Sequence, residues 1–514
     1  MASASIFAQR KAPGGLLAAL LTHPLTLALG IAGVGVALRA PGTVGSDVSW
    51  QLWIAHQLNG GVHLYRDIVE TNPPLWFWMG MPIDWLAGLL HVRSDHLLIV
   101  VIGCLAALSM VATDQLLKPI GGPRRTLLLG YCALVLVAMP WTQFGQREQI
   151  ALIGALPYAA LIAARRNGRQ VPRGLSCLVG AGAGLGFALK HYFLLVPALL
   201  ELWLLASQGR KWRPLRQETL AMAAVGAAYA AAFLIFAPDY FSAALPLILL
   251  AYGVTGAERI VELFQPAILT ACATVAFVLS HPRLLRSDRT GFTTAMVIAA
   301  LAFAGAYFIQ AKGWSYHAVP FAGCAAIGLA ALVAAAATPP RPIALASPAL
   351  LCLPFWIAAQ QTMREPQTDR DVRVAVAGLQ QGESVGFIGT DPALGWNVTL
   401  QSGFLYPGRY NGFWMMRAVV NGAADPRLAA LGRAVVRQTV FDFRCAPPRR
   451  IVVARPTPAA AKAGEFDILR FFMRDPEFAE LLGHYRPVRR TSVEVFDQVS
   501  PLAPARACLR RVEG

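Results

Sequence analysis

The sequence predicts an α-helical polytopic membrane protein with about 11 transmembrane helices, followed by a soluble C-terminal α/β domain. Hydrophobic residues make up 56% of the 514 residues and charged residues only 14%, and the mean hydropathy is +0.50. A soluble globular protein is about 45–50% apolar and about 25% charged. This composition excludes a disordered chain and a series of soluble domains.

The charged residues are distributed unevenly along the chain. Residues 1–360 contain 24 Lys and Arg and 13 Asp and Glu, about one charge in ten residues. Residues 361–514 contain 21 and 15, about one in four, which is the proportion found in soluble proteins. We therefore predict a membrane domain over residues 1–360 and a water-soluble domain over residues 361–514.

Most basic residues of the membrane domain lie in short loops between apolar segments, at 10–11, 118–125, 165–173, 210–216 and 283–289. Such loops face the cytoplasm in membrane proteins. A nucleic-acid-binding protein instead concentrates its charge on one face or tail. The net charge of +17 therefore does not indicate a nucleic acid as partner.

These loops also orient the predicted spans. The first apolar segment, 15–38, follows a basic N-terminus and is longer than the apolar region of a signal peptide, so we predict an anchor with a cytoplasmic N-terminus. The other predicted spans are about 96–117, 127–140, 149–164, 175–190, 191–207, 219–237, 266–280, 291–309, 319–337 and 343–360. Together with the first, these spans number 11. Because this number is odd and the N-terminus is cytoplasmic, residues 361–514 are expected outside the membrane, in the periplasm.

The segment 74–90 is apolar, but it contains Pro82 and Asp84. If it crossed the membrane, the basic loop at 118–126 would face outward, against the charge rule. We therefore predict that it lies along the outer interface as an amphipathic helix, within a first periplasmic loop over residues 40–95.

The first outer loop carries two acidic candidates, Asp47 and Glu70, together with the aromatic Tyr65. Two acids beside a membrane surface are suited to the floor of an active site. Alternatively, Asp47 caps the helix that follows it, and Pro73-Pro74 only separates two helices.

Three further outer loops carry basic candidates, namely Arg147, Lys190 and the group Lys312, Tyr316 and His317. A lysine at membrane depth costs about 2.5 kcal/mol or more, which marks a functional candidate. Alternatively, Arg147 pairs with the adjacent Glu148, Lys190 extends its ammonium to the interface, and the last group is an interfacial aromatic belt with a solvated lysine. An acidic loop and three basic loops on one side would bring a general base beside an anionic leaving group.

Short motifs in these loops carry a resemblance to a known family. They are Asp47, the segment Asn72-Pro73-Pro74-Leu75, and the glycine-rich segment Gly182–Lys190. Over roughly residues 15–320, the chain resembles the membrane glycosyltransferases of the GT-C fold, in particular the bacterial branch related to protein O-mannosyltransferases and the lipid A aminoarabinose transferase. The sequence departs from many relatives at Val48, where they have a second acid.

The resemblance implies a function in the bacterial inner membrane. Such enzymes move a sugar from a polyprenyl-phosphate carrier to a hydroxyl of a lipid, polysaccharide or protein, with inversion at the anomeric carbon. By this resemblance Asp47 is the general base, and Glu70 orients the acceptor or holds Asp47 in place. The donor phosphate would be bound by Lys190, with Arg147, Lys312 and His317 as further candidates, and Tyr65, Asn72 and Tyr316 would position the loops or the acceptor. We expect no metal and no cofactor besides the lipid-linked sugar donor.

The soluble domain contains two predicted short buried strands, 382–389 and 451–454, an amphipathic helix over 465–482 and an alternating strand over 492–496. It shows no catalytic motif, so we predict a cover over the outer cavity or an acceptor-recognition domain. A disulfide between Cys445 and Cys508 is one possibility in an oxidising compartment, and free thiols are the other.

A transporter or flippase for a lipid-linked glycan is the alternative function, because it would also place cations near a lipid phosphate. A transporter is expected to show inverted repeats and paired broken helices. The sequence shows no convincing repeat, which favours the glycosyltransferase.

Overall fold

The computed structural model describes residues 23–39, 44–252, 263–336, 351–362, 367–454, 466–490, 493–502 and 508. The described chain is mostly helical and has a small sheet near its C-terminal end.

Fifteen helices, α1–α15, form the first part of the described chain. In order they are Pro24–Arg39, Ser46–Asn59, Leu75–Leu90, Ser94–Leu116, Gly122–Ala133, Arg147–Arg166, Arg173–Ala188, Leu195–Gln208, Gln217–Phe236, Leu245–Tyr252, Pro266–Leu279, Pro282–Ser287, Phe292–Gln310, Val319–Ala335 and Leu353–Thr362. Short 3₁₀ segments precede α8 and α14, at His191–Leu194 and Ser315–Ala318.

Five helical segments of the described chain are long and apolar enough to cross a membrane: Ser94–Leu116, His191–Lys211, Gln217–Phe236, Phe292–Gln310 and Ser315–Ala335. Four apolar helices are shorter, Pro24–Arg39, Leu75–Leu90, Tyr240–Ala251 and Pro266–Leu279. These helices support a multi-pass membrane protein, whereas the predicted number of about 11 spans stays a prediction. Parts of the first and last predicted spans, 15–22 and 343–350, lie outside the described residues.

The segment 74–90, predicted to be a helix within the first outer loop, forms the helix α3. Its outward-facing side chains include Trp85, Leu89 and Leu90, each more than half exposed. An unpartnered apolar surface of this kind suits the membrane interface, and its position there stays a prediction. A helix that we did not predict, α10, lies within the expected outer loop after residue 237.

Glycines bring α7 unusually close to its neighbours. A Cβ atom on Gly180 would lie 2.2 Å from the backbone oxygen of Glu218 in α9, and one on Gly186 would lie 3.2 Å from the Cα atom of Ala151 in α6. Small residues permit such backbone contact between helices in a membrane, where apolar burial gives little driving force. The glycine-rich segment therefore places the end of α7, and Lys190 after it, against α6.

The C-terminal part contains six helices, α16–α21, and four strands, β1–β4. The helices are Gln367–Ala375, Trp396–Ser402, Met416–Asn421, Pro426–Cys445, Ile468–Phe472 and Pro476–Gly483, and the strands are Val385–Ile388, Arg450–Ala454, Tyr485–Arg490 and Val493–Gln498. The sheet order is β1-β2-β4-β3, with β1 and β2 parallel and the other two pairs antiparallel. Three of these strands were predicted, and β3 was missed.

The prediction of one helix over 465–482 is wrong. The described part of this segment forms two short helices, α20 and α21, because Asp475 caps the second helix by accepting hydrogen bonds from the backbone N–H groups of Glu477 and Phe478, and Pro476 occupies its first turn. Cys445 and Cys508 form a disulfide, which is one of the two alternatives that the sequence left open.

Candidate active site

Asp47 lies in the first turn of α2, and its carboxylate is held on one side only. Its Oδ2 atom accepts hydrogen bonds from Gln51 Nε2 at 2.9 Å, Gln146 Nε2 at 2.8 Å and Arg147 Nη2 at 3.5 Å. Within the described chain no group donates to Oδ1, and the side chain is 30% exposed. The N-cap residue is Gly45, which makes no side-chain cap, so the capping alternative for Asp47 is wrong. The free oxygen can accept a proton.

Glu70 holds the loop that contains it. Its Oε2 atom accepts a hydrogen bond from Trp50 Nε1 at 2.6 Å, and its Oε1 atom accepts from the backbone N–H of Thr71 and from both nitrogens of Asn72, each at 2.7 Å. Tyr65 donates its hydroxyl to the backbone oxygen of Asn72 at 2.6 Å. Because both carboxylate oxygens are engaged, these contacts close the first outer loop on α2.

Arg147 starts α6 and is almost completely buried. Its side chain is 2% exposed, and its contact with a carboxylate is the one with Asp47 at 3.5 Å. Its Nε and Nη1 atoms have no hydrogen-bond partner among the described residues. The ion pair that Glu148 makes at 2.6 Å is with Lys190, so the two neighbours each pair with another residue.

Lys190 follows α7 and is enclosed by acceptors. Its Nζ atom lies 2.6 Å from Glu148 Oε1, 3.0 Å from His317 Nε2 and 3.2 Å from Gln310 Oε1. It also lies 5.5 Å from the ring centre of Tyr316. With 10% exposure of its side chain, Lys190 does not extend to an aqueous surface, so the snorkelling alternative is wrong.

The last outer loop brings a second lysine and a histidine to the same place. His317 is 3% exposed, and its Nδ1 atom has no partner in the part of the chain that the structure describes. Lys312 lies with its Nζ atom 4.8 Å from the ring centre of Trp314. Burial, together with the positive charges of Lys190 and Arg147, lowers the pKa of Lys312 to about 8.

The structure thus brings residues of four predicted outer loops into one cluster. Four residues of this cluster, Gln51, Gln146, Glu148 and Gln310, were not among the predicted site residues. They lie in the same loops, and their uncharged or paired side chains gave no signal of a role. What identifies them is the hydrogen bonding to Asp47 and Lys190.

Described residues of the C-terminal part pack against the first outer loop. Trp396 contacts Trp50 with ring centres 4.5 Å apart, and Ser49 donates a hydrogen bond to Asn397 Oδ1 at 2.9 Å. The backbone N–H of Val69 donates to the backbone oxygen of Arg409 at 2.8 Å. The C-terminal part therefore covers the loop that carries both acidic candidates.

A cavity of about 460 Å³ lies between the first outer loop, the region of α10 and α19. Its lining includes Tyr65, Glu70, Asp239, Arg409 and Gln438. Mixed polar and apolar walls of this kind suit a ligand with hydroxyl groups. Within the described residues, no group of three His, Cys, Asp and Glu side chains is arranged to hold a metal ion, and the expectation that none is needed stays a prediction.

Solved structures similar to this chain support the resemblance. ArnT from Cupriavidus metallidurans bound to undecaprenyl phosphate is 13% identical, has a TM-score of 0.52, and the match covers 96% of this chain and 100% of that chain. The chain has the GT-C fold. This confirms the resemblance at the level of the fold.

Two other GT-C structures match with lower TM-scores. Arabinofuranosyltransferase AftD from Mycobacteria is 14% identical with a TM-score of 0.48, over 93% of this chain and 40% of that one. Oligosaccharyltransferase AglB from Archaeoglobus fulgidus, in complex with an inhibitory peptide and a dolichol-phosphate, is 11% identical with a TM-score of 0.43, over 96% of this chain and 76% of that one. No known family profile and no curated protein sequence matches the chain.

Proposed function

We propose that this chain is an integral membrane glycosyltransferase. It moves a sugar from a polyprenyl-phosphate carrier to a hydroxyl of a lipid, polysaccharide or protein on the periplasmic side of a bacterial inner membrane, with inversion. The observation that carries the proposal is the carboxylate of Asp47, which described residues bind through Oδ2 only and which lies beside buried cations. The GT-C fold and the undecaprenyl phosphate bound by ArnT support a lipid-linked donor.

The proposed reaction is a single displacement. The acceptor oxygen bonds to the anomeric carbon while its proton passes to Asp47 Oδ1. No described residue donates a hydrogen bond to this oxygen. The bond from that carbon to the phosphate oxygen breaks, and its electron pair leaves with the polyprenyl phosphate. The positive charges of Arg147 and Lys312 offset the charge that grows on the phosphate. Because these cations can do so, we expect that no metal is needed and that transfer continues in a chelator.

The residues around Asp47 suit this role. Gln51 and Gln146 fix the orientation of the carboxylate through Oδ2 without adding charge, and Arg147 Nη2 contacts the same oxygen at 3.5 Å. A positioned general base contributes about 10²–10⁴-fold to a rate.

The test compares Asp47→Asn with Asp391→Asn in membrane vesicles supplied with a polyprenyl-phosphate sugar. Asp391 lies in an exposed turn of the C-terminal part, so it serves as a matched control. We expect Asp47→Asn to lower transfer by about 10²–10⁴-fold and Asp391→Asn to leave it unchanged. Transfer by Asp47→Asn at the wild-type rate would contradict the proposal. Movement of the lipid across the membrane without sugar transfer would favour the flippase.

A further inference from the structure

The hydrogen bonds of Lys190 leave it no donor for a ligand. An ammonium group has three N–H bonds. Its Nζ atom lies 2.6 Å from Glu148 Oε1, 3.2 Å from Gln310 Oε1 and 3.0 Å from His317 Nε2. Because an ammonium only donates, His317 Nε2 bonds to it in the tautomer that accepts at this nitrogen. A phosphate oxygen that bonds to Lys190 must therefore displace one of these protein groups.

Arg147, unlike Lys190, has N–H groups without an acceptor among the described residues. A guanidinium has five N–H bonds, and this one uses Nη2 for a 3.5 Å contact with Asp47. Its Nε and Nη1 atoms have no partner among the described residues, although the side chain is 2% exposed. Buried donors without acceptors are unfavourable, and the charged guanidinium suits the oxygens of a phosphate. The unpaired nitrogens therefore point to an anionic ligand.

We propose that Arg147 binds the phosphate of the carrier directly and that Lys190 is a positioning residue, an inference that rests on the proposed function. Lys190 neutralises Glu148, which adjoins Arg147 in the chain and lies 1% exposed. Without Lys190, the Glu148 carboxylate is a buried charge that repels the phosphate and competes with it for the guanidinium. The contribution of Lys190 to phosphate binding is thus made through Glu148.

This division of roles predicts a rescue. We would measure the Kd of a polyprenyl phosphate for the full chain in detergent or nanodiscs, comparing wild type, Lys190→Met, Lys190→Met with Glu148→Gln, Arg147→Met, and Arg147→Met with Glu148→Gln. Lys190→Met should weaken binding about tenfold or more, and adding Glu148→Gln should restore it to within about threefold of wild type. Arg147→Met should weaken binding by a similar factor, and Glu148→Gln should not restore it. Arg427→Met, at a guanidinium exposed on the C-terminal part, should change nothing.

The outcomes separate this inference from the proposed function. If the wild-type chain binds the polyprenyl phosphate but Glu148→Gln does not restore binding to Lys190→Met, the inference is overturned and the proposed function is not. A wild-type chain that binds no phosphate probe overturns both. If inorganic phosphate binds more tightly than the polyprenyl phosphate, with the same pattern among the variants, the division of roles is supported. The proposal that the ligand is a lipid carrier is then overturned.

A second measurement on the wild-type chain avoids any effect of substitution on folding. A cryo-EM structure with a polyprenyl phosphate should show phosphate oxygens on Arg147 and Lys190 still bonded to Glu148. A Lys190 ammonium turned from Glu148 to the phosphate would overturn the inference.

Discussion

The indole Nε1 of Trp50 donates a hydrogen bond to Glu70 Oε2 across 2.6 Å, and this contact joins α2 to the loop that follows it. Three N–H groups of Thr71 and Asn72 bind the other oxygen of the same carboxylate. Glu70 therefore has the contacts of a residue that shapes the loop, whereas Asp47 Oδ1 receives no hydrogen bond from the described residues.

Glu70→Gln tests this distinction. A glutamine cannot accept on both sides, so either the Trp50 donor or the cluster of three N–H groups loses its acceptor. We expect the free energy of unfolding to fall by about 1–3 kcal/mol, with a smaller loss of kcat than in Asp47→Asn. Thermal unfolding and transfer kinetics measure the two effects. A loss of kcat as large as that of Asp47→Asn, without a change in stability, would show that Glu70 takes part in the chemistry.

The pKa of Lys312 predicts a pH dependence of donor use. Because burial and neighbouring positive charges lower it to about 8, the ammonium loses its proton, and its charge, as the pH rises through about 8. We expect kcat/KM for the donor to fall above that pH. Lys312→Arg keeps its charge over the whole range, so its profile should lack this fall between pH 7 and 9.5. The same fall in both proteins would assign it to another group.

Gly180 predicts a packing effect with a control in the same helix. A methyl group at Gly180 meets the backbone of Glu218 at 2.2 Å, while one at Gly182 meets nothing within 4 Å. Gly180→Ala must separate α7 from α9, and overpacking of this kind costs about 1–3 kcal/mol. Gly182→Ala should be neutral or stabilising by up to about 1 kcal/mol through helix propensity. Melting temperatures in detergent compare the two, and equal values would contradict the close contact.

The disulfide predicts a redox-dependent stability. Cys445 and Cys508 are 63 positions apart, and a cross-link over such a loop stabilises a fold by about 2–4 kcal/mol. The double variant Cys445→Ser, Cys508→Ser should melt at a lower temperature, and a reductant should lower the wild-type value but not that of the variant. Alkylation without reduction should leave Cys445 and Cys508 unlabelled. Labelling of all eight cysteines would contradict the disulfide bond.

Trp396 predicts how strongly the C-terminal part is attached to the first loop. Its ring packs on Trp50 and on Trp53, with centres 4.5 and 5.4 Å apart. Trp396→Ala removes both contacts and should destabilise the protein by about 3–5 kcal/mol. Leu405→Ala is the control, because Leu405 is 59% exposed in the same part of the chain. Unchanged resistance to limited proteolysis in Trp396→Ala would argue against the attachment.

Local sequence properties determine much of this protein. Apolar length set the position of helices such as Phe292–Gln310 and Gln217–Phe236, and alternation set the strand Val493–Gln498, because both depend on neighbouring residues. The helix predicted over 465–482 failed at Asp475-Pro476, where a cap and a proline break a continuous apolar pattern. The Cys445–Cys508 bond was one of two alternatives, since a pairing depends on where the two residues meet.

The candidate residues were found from sequence, but the contacts among them were decided by the tertiary structure. Lys190 and His317 are separated by 127 positions, and Lys190 and Glu148 by 42, so no local pattern shows that Lys190 contacts these two residues. Close packing of α7 on α6 brings Lys190 beside Glu148. Among the described residues, Lys190 has three hydrogen-bond partners, two nitrogens of Arg147 have none, and Asp47 is held by one oxygen, since hydrogen-bond partners are set by distance in space and not by order in the chain.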